Sequence, residues 1–209
     1  MIVAIDGPAG AGKSTVARGL AARLGFRYLD TGAMYRALAW LALRDGVALD
    51  DADALAALAG AQPVDFEGDA VSIAGEAVTE AIRSPEIDAA VPIVARHPRV
   101  REVMRERQRA LGAAGDSVIE GRDIGAVVVP GAELKVWLVA DPDERARRRH
   151  AEREGADPDA LADDLRRRDA SDAANTHRAA DAVAIDTTGL TVDDVLDRIE
   201  ELVRARRPA

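Results

Sequence analysis

Cysteine is absent from the 209 residues, so disulfides, thiolate nucleophiles and cysteine-ligated zinc are excluded. Aromatic residues make up only 3% of the chain, too few for the stacking platforms on which proteins bind single-stranded nucleic acid. No apolar run approaches the roughly 20 residues that a membrane-spanning helix needs. The apolar stretch at residues 2–5 has no basic region before it and ends at Asp6, which predicts a first strand rather than a signal peptide.

The charge balance limits the partners further. The formal net charge is −9, whereas proteins that bind long nucleic acid usually present a basic field. A small phosphorylated ligand fits this balance, because a cleft can be locally basic on an acidic protein. We therefore expect small-molecule substrates, no nucleic-acid polymer, no membrane, a monomeric chain and a cytoplasmic location. Only two of the 28 basic residues are lysines, so Lys13 stands out as a residue that its chemistry requires.

Apolar strand-like segments alternate with amphipathic segments along the whole chain, which predicts an α/β fold with a parallel sheet. The predicted core strands are residues 2–6, 27–30, 117–121, 134–140 and 182–186. Helices are predicted at residues 31–44 and 50–59 and around 195–203. The region from 84 to 114 is also predicted to be helical, with breaks near Pro92 and Pro98. Two charged helices are predicted between Pro142 and Asp172, with an interruption at Gly155 and Pro158. Residues 62–80 predict a small hairpin. We expect one domain, 1–209, with insertions at 62–100 and 145–165.

The segment between the first strand and the first helix matches a phosphate-binding loop. Residues 7–14 read GPAGAGKS, the pattern G-x-x-x-x-G-K-[ST], with a strand before and a helix after. Glycines let successive backbone N–H groups wrap phosphates, and the helix N-terminus attracts the same anion. Lys13 would add a charge at the β- and γ-phosphates, and Ser14 would ligate Mg²⁺. The predicted ATP-binding residues are Gly7, Pro8, Ala9, Gly10, Ala11, Gly12, Lys13, Ser14 and Thr15. The motif alone does not separate a kinase from a GTPase or a motor.

Two further segments supply charge near predicted helix or strand ends. Asp30 or Thr31 can cap the helix that contains Arg36, and the helix N-terminus favours anions, although Arg36 taken alone fits an ordinary surface arginine better. Arg122 and Asp123 follow a core strand, and ligands collect at the carboxyl ends of parallel strands. A salt-bridged turn is the alternative for this pair.

Arginines crowd the two charged helices after Pro142. Most of them form a solvated face, but phosphoryl transfer needs positive charge over the transferring group, and the planar arginine fork suits that task. We expect at least one of this set to be catalytic: Arg145, Arg147, Arg148, Arg149, Arg153, Arg166, Arg167 and Arg168.

Six segments, in their order and spacing, resemble the bacterial cytidylate kinases over essentially the whole chain. They are IDGPAGAGKST from Ile5, LDTGAMYRALA from Leu29, HPRVRE from His97 with the basic helix after it, EGRDIG from Glu120, RRRDASD from Arg166 and AIDTTGLTVDDV from Ala184.

The resemblance implies a P-loop kinase fold, with a central parallel five-stranded sheet flanked by helices, an NMP-binding insert at 62–100 and a small lid at 145–165. It implies ATP as donor with Mg²⁺, and CMP or dCMP as acceptor. Arg36 and Arg122 would hold the acceptor phosphate, Arg101 and Asp123 would face cytosine, and Arg168 and Asp172 would contact the ribose. The predicted substrate-binding residues are therefore Thr31, Tyr35, Arg36, Arg101, Arg122, Asp123, Arg168 and Asp172; the predicted catalytic residues are Lys13, Arg122 and Arg148.

The chemistry of cytosine fits this assignment. A carboxylate such as Asp123 accepts from the N4 amino group, whereas uracil would set its O4 acceptor against the same carboxylate. Two positions depart from the family pattern: Pro92 stands where a base-binding serine often occurs, and Asn175 where an arginine is frequent. We do not assign the family's roles to those two residues.

Two alternatives remain open from the sequence. Another P-loop kinase, for AMP, shikimate or dephospho-CoA, would share the loop but has no use for an Arg/Asp pair matched to cytosine. A nucleotide-dependent switch would hydrolyse ATP or GTP slowly without an acceptor, and the sequence has no N-K-x-D guanine-reading motif.

Overall fold

The computed structural model describes residues 1–152 and 157–207. The chain forms two compact units, one made of Met1–Tyr28 with Gly115–Ala209 and the other of Leu29–Ala114. No helix within the described residues is both long and apolar enough to span a membrane. The predicted interruption at Gly155, and Arg153 of the predicted lid, lie outside the described residues.

Strands and helices alternate in the order that the sequence predicts. The strands are Ile2–Asp6 (β1), Arg27–Asp30 (β2), Val64–Glu67 (β3), Ala70–Ile73 (β4), Glu76–Ala77 (β5), Ser117–Gly121 (β6), Leu134–Val139 (β7) and Val183–Asp186 (β8). The helices are Lys13–Leu24 (α1), Thr31–Arg44 (α2), Ala52–Ala61 (α3), Pro85–Ala95 (α4), Pro98–Gly112 (α5), Pro142–Glu152 (α6), Pro158–Asp172 (α7) and Val192–Arg204 (α8).

The central sheet has five strands in the order β2-β6-β1-β7-β8. β1 pairs in parallel with β6 on one side and β7 on the other, and β7 pairs in parallel with β8. β1 therefore lies where the strand order reverses, the point at which open α/β sheets bind ligands beyond their strand ends. The pairing of Asp6 with Gly121 sets the first residue of the phosphate-binding loop beside the turn that carries Arg122.

The core of the first unit forms around β1, whose residues Val3, Ala4 and Ile5 are completely buried. An unbroken apolar strand of this kind is expected where helices cover both faces of a parallel sheet. Helix α1 buries Val16 and Leu20 in the same hydrophobic cluster. This packing fixes the strand before the phosphate-binding loop and the helix after it.

The second unit combines α2–α5 with a small antiparallel sheet. Its strand order is β3-β4-β5, so the predicted hairpin at 62–80 carries a third, two-residue strand. Asp30, rather than Thr31, caps α2, because its side chain accepts the N–H of Ala33 at 2.9 Å. The unit contains the predicted insert 62–100, whose role as an NMP-binding segment stays a prediction.

The prediction of a helix break near Pro92 is wrong, because α4 runs from Pro85 to Ala95 through that proline. A proline inside a helix forfeits one backbone hydrogen bond and usually bends or ends the helix. Here the buried residues Ile87, Ala90 and Val94 lie on both sides of it, so tertiary packing holds the helical turn together. The predicted break near Pro98 is confirmed, because Pro98 is the first residue of α5, a position where proline is well tolerated.

Candidate active site

The loop between β1 and α1 has the backbone that a phosphate cradle requires. Gly10 and Gly12 have φ values of 74° and 86°, in the left-handed region that favours glycine. A Cβ atom on Gly7 would lie 2.3 Å from the carbonyl oxygen of Leu138, so only glycine fits there. Helix α1 starts at Lys13 and directs its N-terminal N–H groups toward the loop. The loop residues thus fit a nucleotide triphosphate.

Lys13 is 7% exposed, and its Nζ donates to the carbonyl oxygen of Pro8 at 2.7 Å. Burial lowers the pKa of Lys13 strongly, and the positive charge of Arg122 lowers it further. The nearby carboxylates of Glu120 and Asp6 act in the opposite direction. A bound polyphosphate would add negative charge and favour the protonated, charged form of this lysine.

The buried carboxylate of Glu120 is hydrogen-bonded to Ser14, the predicted Mg²⁺ ligand. Ser14 Oγ donates to Glu120 Oε2 at 2.9 Å, and the hydroxyl of Tyr28 donates to the other carboxylate oxygen. A serine hydroxyl backed by a carboxylate is the kind of oxygen donor set that Mg²⁺ prefers, so these residues fit the metal. In the sequence, Glu120 is part of the EGRDIG segment, and no role is predicted for it there.

The turn after β6 carries Arg122 and Asp123. Arg122 Nε donates to Asp172 Oδ2 at 3.0 Å, and Asp123 is 5% exposed. After Asp123 the chain enters a wide helical turn, Ile124–Val128, of the π type that is frequent at functional sites. The N–H groups of its first two residues, Ile124 and Gly125, donate to the carboxylate of Asp6.

The first helix of the predicted lid is anchored to the phosphate-binding loop. Arg145 donates to the carbonyl oxygen of Ala9 at 2.9 Å and to Asp169 at 2.7 Å. A Cβ on Gly10 would lie 3.1 Å from the Cβ of Arg145, so this helix approaches the loop closely.

Arg148 also reaches the phosphate-binding loop, where its Nη1 lies 3.6 Å from the position that a Cβ of Gly12 would occupy. Its guanidinium donates to the hydroxyl and carbonyl oxygens of Thr187 at 2.9 and 2.7 Å, and to Glu144 at 2.8 Å. The guanidinium is therefore held next to the loop by neighbours on two different elements.

Four of the predicted acceptor residues lie in the second unit: Thr31, Tyr35, Arg36 and Arg101. Arg36 Nη1 donates to the carboxylate of Asp88, so the surface-arginine interpretation is replaced by a half-buried ion pair. Arg101 is 8% exposed and lies over the ring of Tyr35, 6.0 Å from its centroid. Such a buried guanidinium above an aromatic face is a fixed, directional donor.

The structure brings several predicted residues of the first unit into mutual electrostatic range. The charges of Arg122 and Asp172 both act on Lys13. Of the remaining predicted residues, Arg168 is half-buried on α7, Thr15 is exposed on α1, and Thr31 is buried at the start of α2.

The sequence did not identify Asp6, Glu120 and Asp88 as site residues. Glu120 contacts Ser14 and Asp88 contacts Arg36, while Asp6 binds the turn after β6. Asp6 and Glu120 are 3% exposed at the ends of core strands. A charged residue that interrupts an apolar strand is a usable signal, because ionised side chains are rarely buried without a partner. Asp88 offers no such signal, since it lies in the first turn of a helix, where acidic residues are common.

Comparison with known proteins agrees with this geometry. A family model described as cytidylate kinase matches residues 3–205. A cytidylate kinase of Geobacillus sp. (strain WCH70) is 49% identical over 98% of this chain and 96% of its own length. One of Solibacter usitatus is 46% identical over 99% of this chain and 93% of its own length.

The chain belongs to the cytidylate kinase family. The predicted resemblance is therefore confirmed, and so is the predicted P-loop kinase fold. Among solved structures, a shikimate kinase from Bacteroides thetaiotaomicron superposes with a TM-score of 0.52 at 16% identity, covering 98% of each chain. The protein TT1252 of Thermus thermophilus gives a TM-score of 0.52 at 22% identity, covering 100% of this chain and 98% of its own. At such low identity these structures show the shared fold alone, which the cytidylate kinase family uses as well.

Proposed function

We propose that this protein transfers the γ-phosphoryl group of ATP to CMP or dCMP, giving CDP or dCDP and ADP. The observation that carries the proposal is the cytidylate kinase match over residues 3–205, which includes every predicted site residue. The buried Lys13 in a glycine-rich loop supports the donor half of the reaction. The enzyme is accordingly an ATP-dependent nucleoside monophosphate kinase.

The chemical step is an in-line displacement at the γ-phosphorus. An anionic oxygen of the CMP phosphate forms the new P–O bond while the bond from the γ-phosphorus to the β,γ-bridging oxygen breaks. The electron pair of the broken bond leaves with ADP. No general base is needed, because the attacking oxygen is already deprotonated. Catalysis is then positioning and neutralisation of charge.

Residues of the phosphate-binding loop hold the donor. Backbone N–H groups between Gly7 and Thr15, except at Pro8, which has none, bind the phosphates. Lys13 leaves its contact with the carbonyl oxygen of Pro8 to neutralise the group that moves. Arg148, held beside Gly12 by Thr187, supplies further positive charge from the lid. Ser14 would be the protein ligand of a bound Mg²⁺, and Glu120, which accepts from the Ser14 hydroxyl, would orient that ligand. The ion would supply further neutralisation of phosphate charge.

The predicted substrate-binding residues recognise the acceptor. Arg36 and Arg122 bind the CMP phosphate, while Asp123 and Arg101 read the cytosine edge. The N4 amino group of cytosine donates to Asp123, and the guanidinium of Arg101 donates to N3 or O2. Uracil is rejected because its O4 would leave the Asp123 carboxylate facing another acceptor.

The remaining acceptor residues and the lid complete the assignment. Arg168 and Asp172 contact the ribose, and Thr31 and Tyr35 line the CMP side at the start of α2. The 145–165 segment acts as the lid, whose closure excludes water and prevents futile ATP hydrolysis. The 62–100 segment acts as the NMP-binding insert.

The alternatives from the sequence are disfavoured. The likeness to shikimate kinase shows a shared fold at 16% identity, whereas a cytidylate kinase of Geobacillus sp. is 49% identical over nearly the full length. An acceptor screen separates the possibilities. With ATP and Mg²⁺, we expect ADP release with CMP and dCMP at least tenfold faster than with UMP, AMP or shikimate. ADP release that is independent of any acceptor would indicate a switch instead.

We also propose that the protein acts as a cytoplasmic monomer. One chain contains the phosphate-binding loop and all the predicted CMP residues, which is consistent with a monomeric enzyme. ATP and CMP are metabolites of the cytoplasm. Light scattering during size-exclusion chromatography would give a mass near 22.1 kDa if the monomer proposal holds, and about twice that value for a dimer.

A further inference from the structure

Asp6 is a buried carboxylate for which the reaction described above has no use. It ends β1 and directly precedes Gly7 of the phosphate-binding loop. Its side chain points to the turn after β6, where Oδ1 accepts the N–H of Ile124 at 2.9 Å and Oδ2 accepts the N–H of Gly125 at 2.8 Å. Both carboxylate oxygens are thus engaged by the backbone of a segment 118 residues or more away.

This arrangement is electrostatically unfavourable by itself. Burial raises the pKa of Asp6 to about 6, and the nearby charge of Asp123 raises it as well. The two backbone N–H groups and the charge of Lys13 act in the opposite direction. A carboxylate that is kept in such a place is expected to have a geometric role, because an apolar residue would satisfy the burial without the cost of desolvation.

The geometry points to Asp6 as a positioning residue that fixes the turn carrying Arg122 and Asp123 in register with the phosphate-binding loop. This inference rests on the proposed function, since it takes Arg122 and Asp123 to contact CMP. Backbone pairing of Asp6 with Gly121 already aligns the two strands. The carboxylate fixes the position of the π-type turn that follows β6, because it binds the first two N–H groups of that turn.

The same turn also packs closely against β7. A Cβ on Gly125 would lie 3.1 Å from the side chain of Lys135 on β7, so the turn has little room to move in that direction. Without the Asp6 carboxylate, two buried N–H groups would lose their partners, and the turn would rotate to find others. Asp123 immediately precedes that turn and would move with it.

The test compares Asp6→Asn with the parent enzyme. The amide keeps the shape but offers one accepting oxygen to two N–H donors. We expect the KM for CMP to rise about tenfold and the preference for CMP over UMP in kcat/KM to fall about tenfold, with the KM for ATP changed less than threefold. Calorimetric titration with CMP alone should show the same loss of affinity without turnover.

Glu133→Gln is the matched control. Glu133 accepts the N–H of Ile2 at 2.8 Å, a long-range carboxylate contact at the opposite end of β1. If Asp6 acted only by stabilising the strand, the two variants would change thermal stability alone and leave CMP discrimination intact. We expect the control to keep the parent KM for CMP and the parent CMP/UMP preference.

Asp6→Glu covers the case in which Asp6→Asn does not fold. It retains the charge but pushes the carboxylate outward by one methylene, so CMP affinity and CMP/UMP preference should still fall. A folded Asp6 variant with parent CMP affinity and parent CMP/UMP preference would overturn the inference. If the parent enzyme itself did not phosphorylate CMP, the proposed function would fail instead, so the two failures are distinguishable.

Discussion

Arg122 and Asp172, which the sequence assigns to the phosphate and the ribose of CMP, are hydrogen-bonded to each other, with 3.0 Å between Nε and Oδ2. Both side chains are partly exposed, at 25% and 32%. An exposed ion pair contributes little stability, so this one is better understood as an orienting contact. Because this contact uses Nε, it leaves the Nη atoms of Arg122 as the donors that we expect to bind a phosphate.

Asp172→Asn is predicted to raise the KM for CMP by roughly tenfold, the amount expected for one hydrogen bond to a charged group. The rise should be smaller for dCMP, because dCMP lacks the 2′-hydroxyl that Asp172 would contact. Steady-state kinetics with both acceptors gives the comparison. Equal effects on CMP and dCMP would show that Asp172 acts only through Arg122 and not on the ribose.

Asp123→Asn is predicted to reduce the CMP/UMP preference in kcat/KM by roughly 10- to 100-fold, the discrimination that one base-edge contact provides. The asparagine amide can donate to O4 of uracil, whereas the carboxylate cannot. Asp116→Asn, a change at an exposed carboxylate bound to the chain terminus, serves as the control. An unchanged CMP/UMP ratio in Asp123→Asn would reject the base-reading role.

Glu120→Gln is predicted to raise the Mg²⁺ concentration needed for half-maximal activity by roughly tenfold, as the loss of an orienting partner behind a metal ligand does. The glutamine side chain would still offer an oxygen to accept the hydrogen bond from Ser14 Oγ, but the negative charge of Glu120 would be lost. The KM for CMP should stay within twofold. Tyr28→Phe removes only the hydroxyl that donates to the other oxygen, so its effect should be smaller. Mn²⁺ binding in the presence of ATP, followed by electron paramagnetic resonance, checks the same ranking without turnover.

Nucleotide binding is predicted to take up protons above neutral pH. Burial and Arg122 lower the pKa of Lys13 in the free enzyme, and the negative charge of a bound triphosphate raises that pKa again. At a pH between the pKa of Lys13 in the free enzyme and its higher pKa in the complex, the complex holds more protons than the free enzyme. ATP affinity therefore falls as pH rises through this range. Titration calorimetry of ATP binding is repeated in buffers of different ionisation enthalpy. The slope of the observed binding enthalpy against the buffer ionisation enthalpy should indicate proton uptake.

The control for proton uptake is the other lysine. Lys135→Met removes a side chain that pairs with Asp181, and the buffer dependence should persist in that variant. In Lys13→Met the dependence should disappear. A parent enzyme with no buffer dependence would show that Lys13 is fully charged before the nucleotide binds.

The order of elements and the phosphate-binding loop could be predicted because both are encoded locally. Apolar runs define β1 and β6, and the glycines between Asp6 and Lys13 require a specific turn. Pro92 shows the limit of such rules, since the packing of α4 overrides the usual effect of proline. The contacts of Asp6 and of Ser14 join residues more than 100 positions apart. A local pattern can mark Asp6 and Glu120 as unusual buried carboxylates, but it cannot identify their partners.

Product labelling tests the central claim most directly. The parent enzyme is incubated with Mg²⁺, CMP and ATP labelled at the γ-phosphate, and the products are separated by anion exchange. We expect the label to appear in CDP and not in free phosphate. Lys13→Met should lower the rate of CDP formation by at least roughly 100-fold, because it removes a charge that stabilises the transferring group. Lys135→Met should not lower that rate. Label released as free phosphate, or undiminished CDP formation in Lys13→Met, would contradict the central claim.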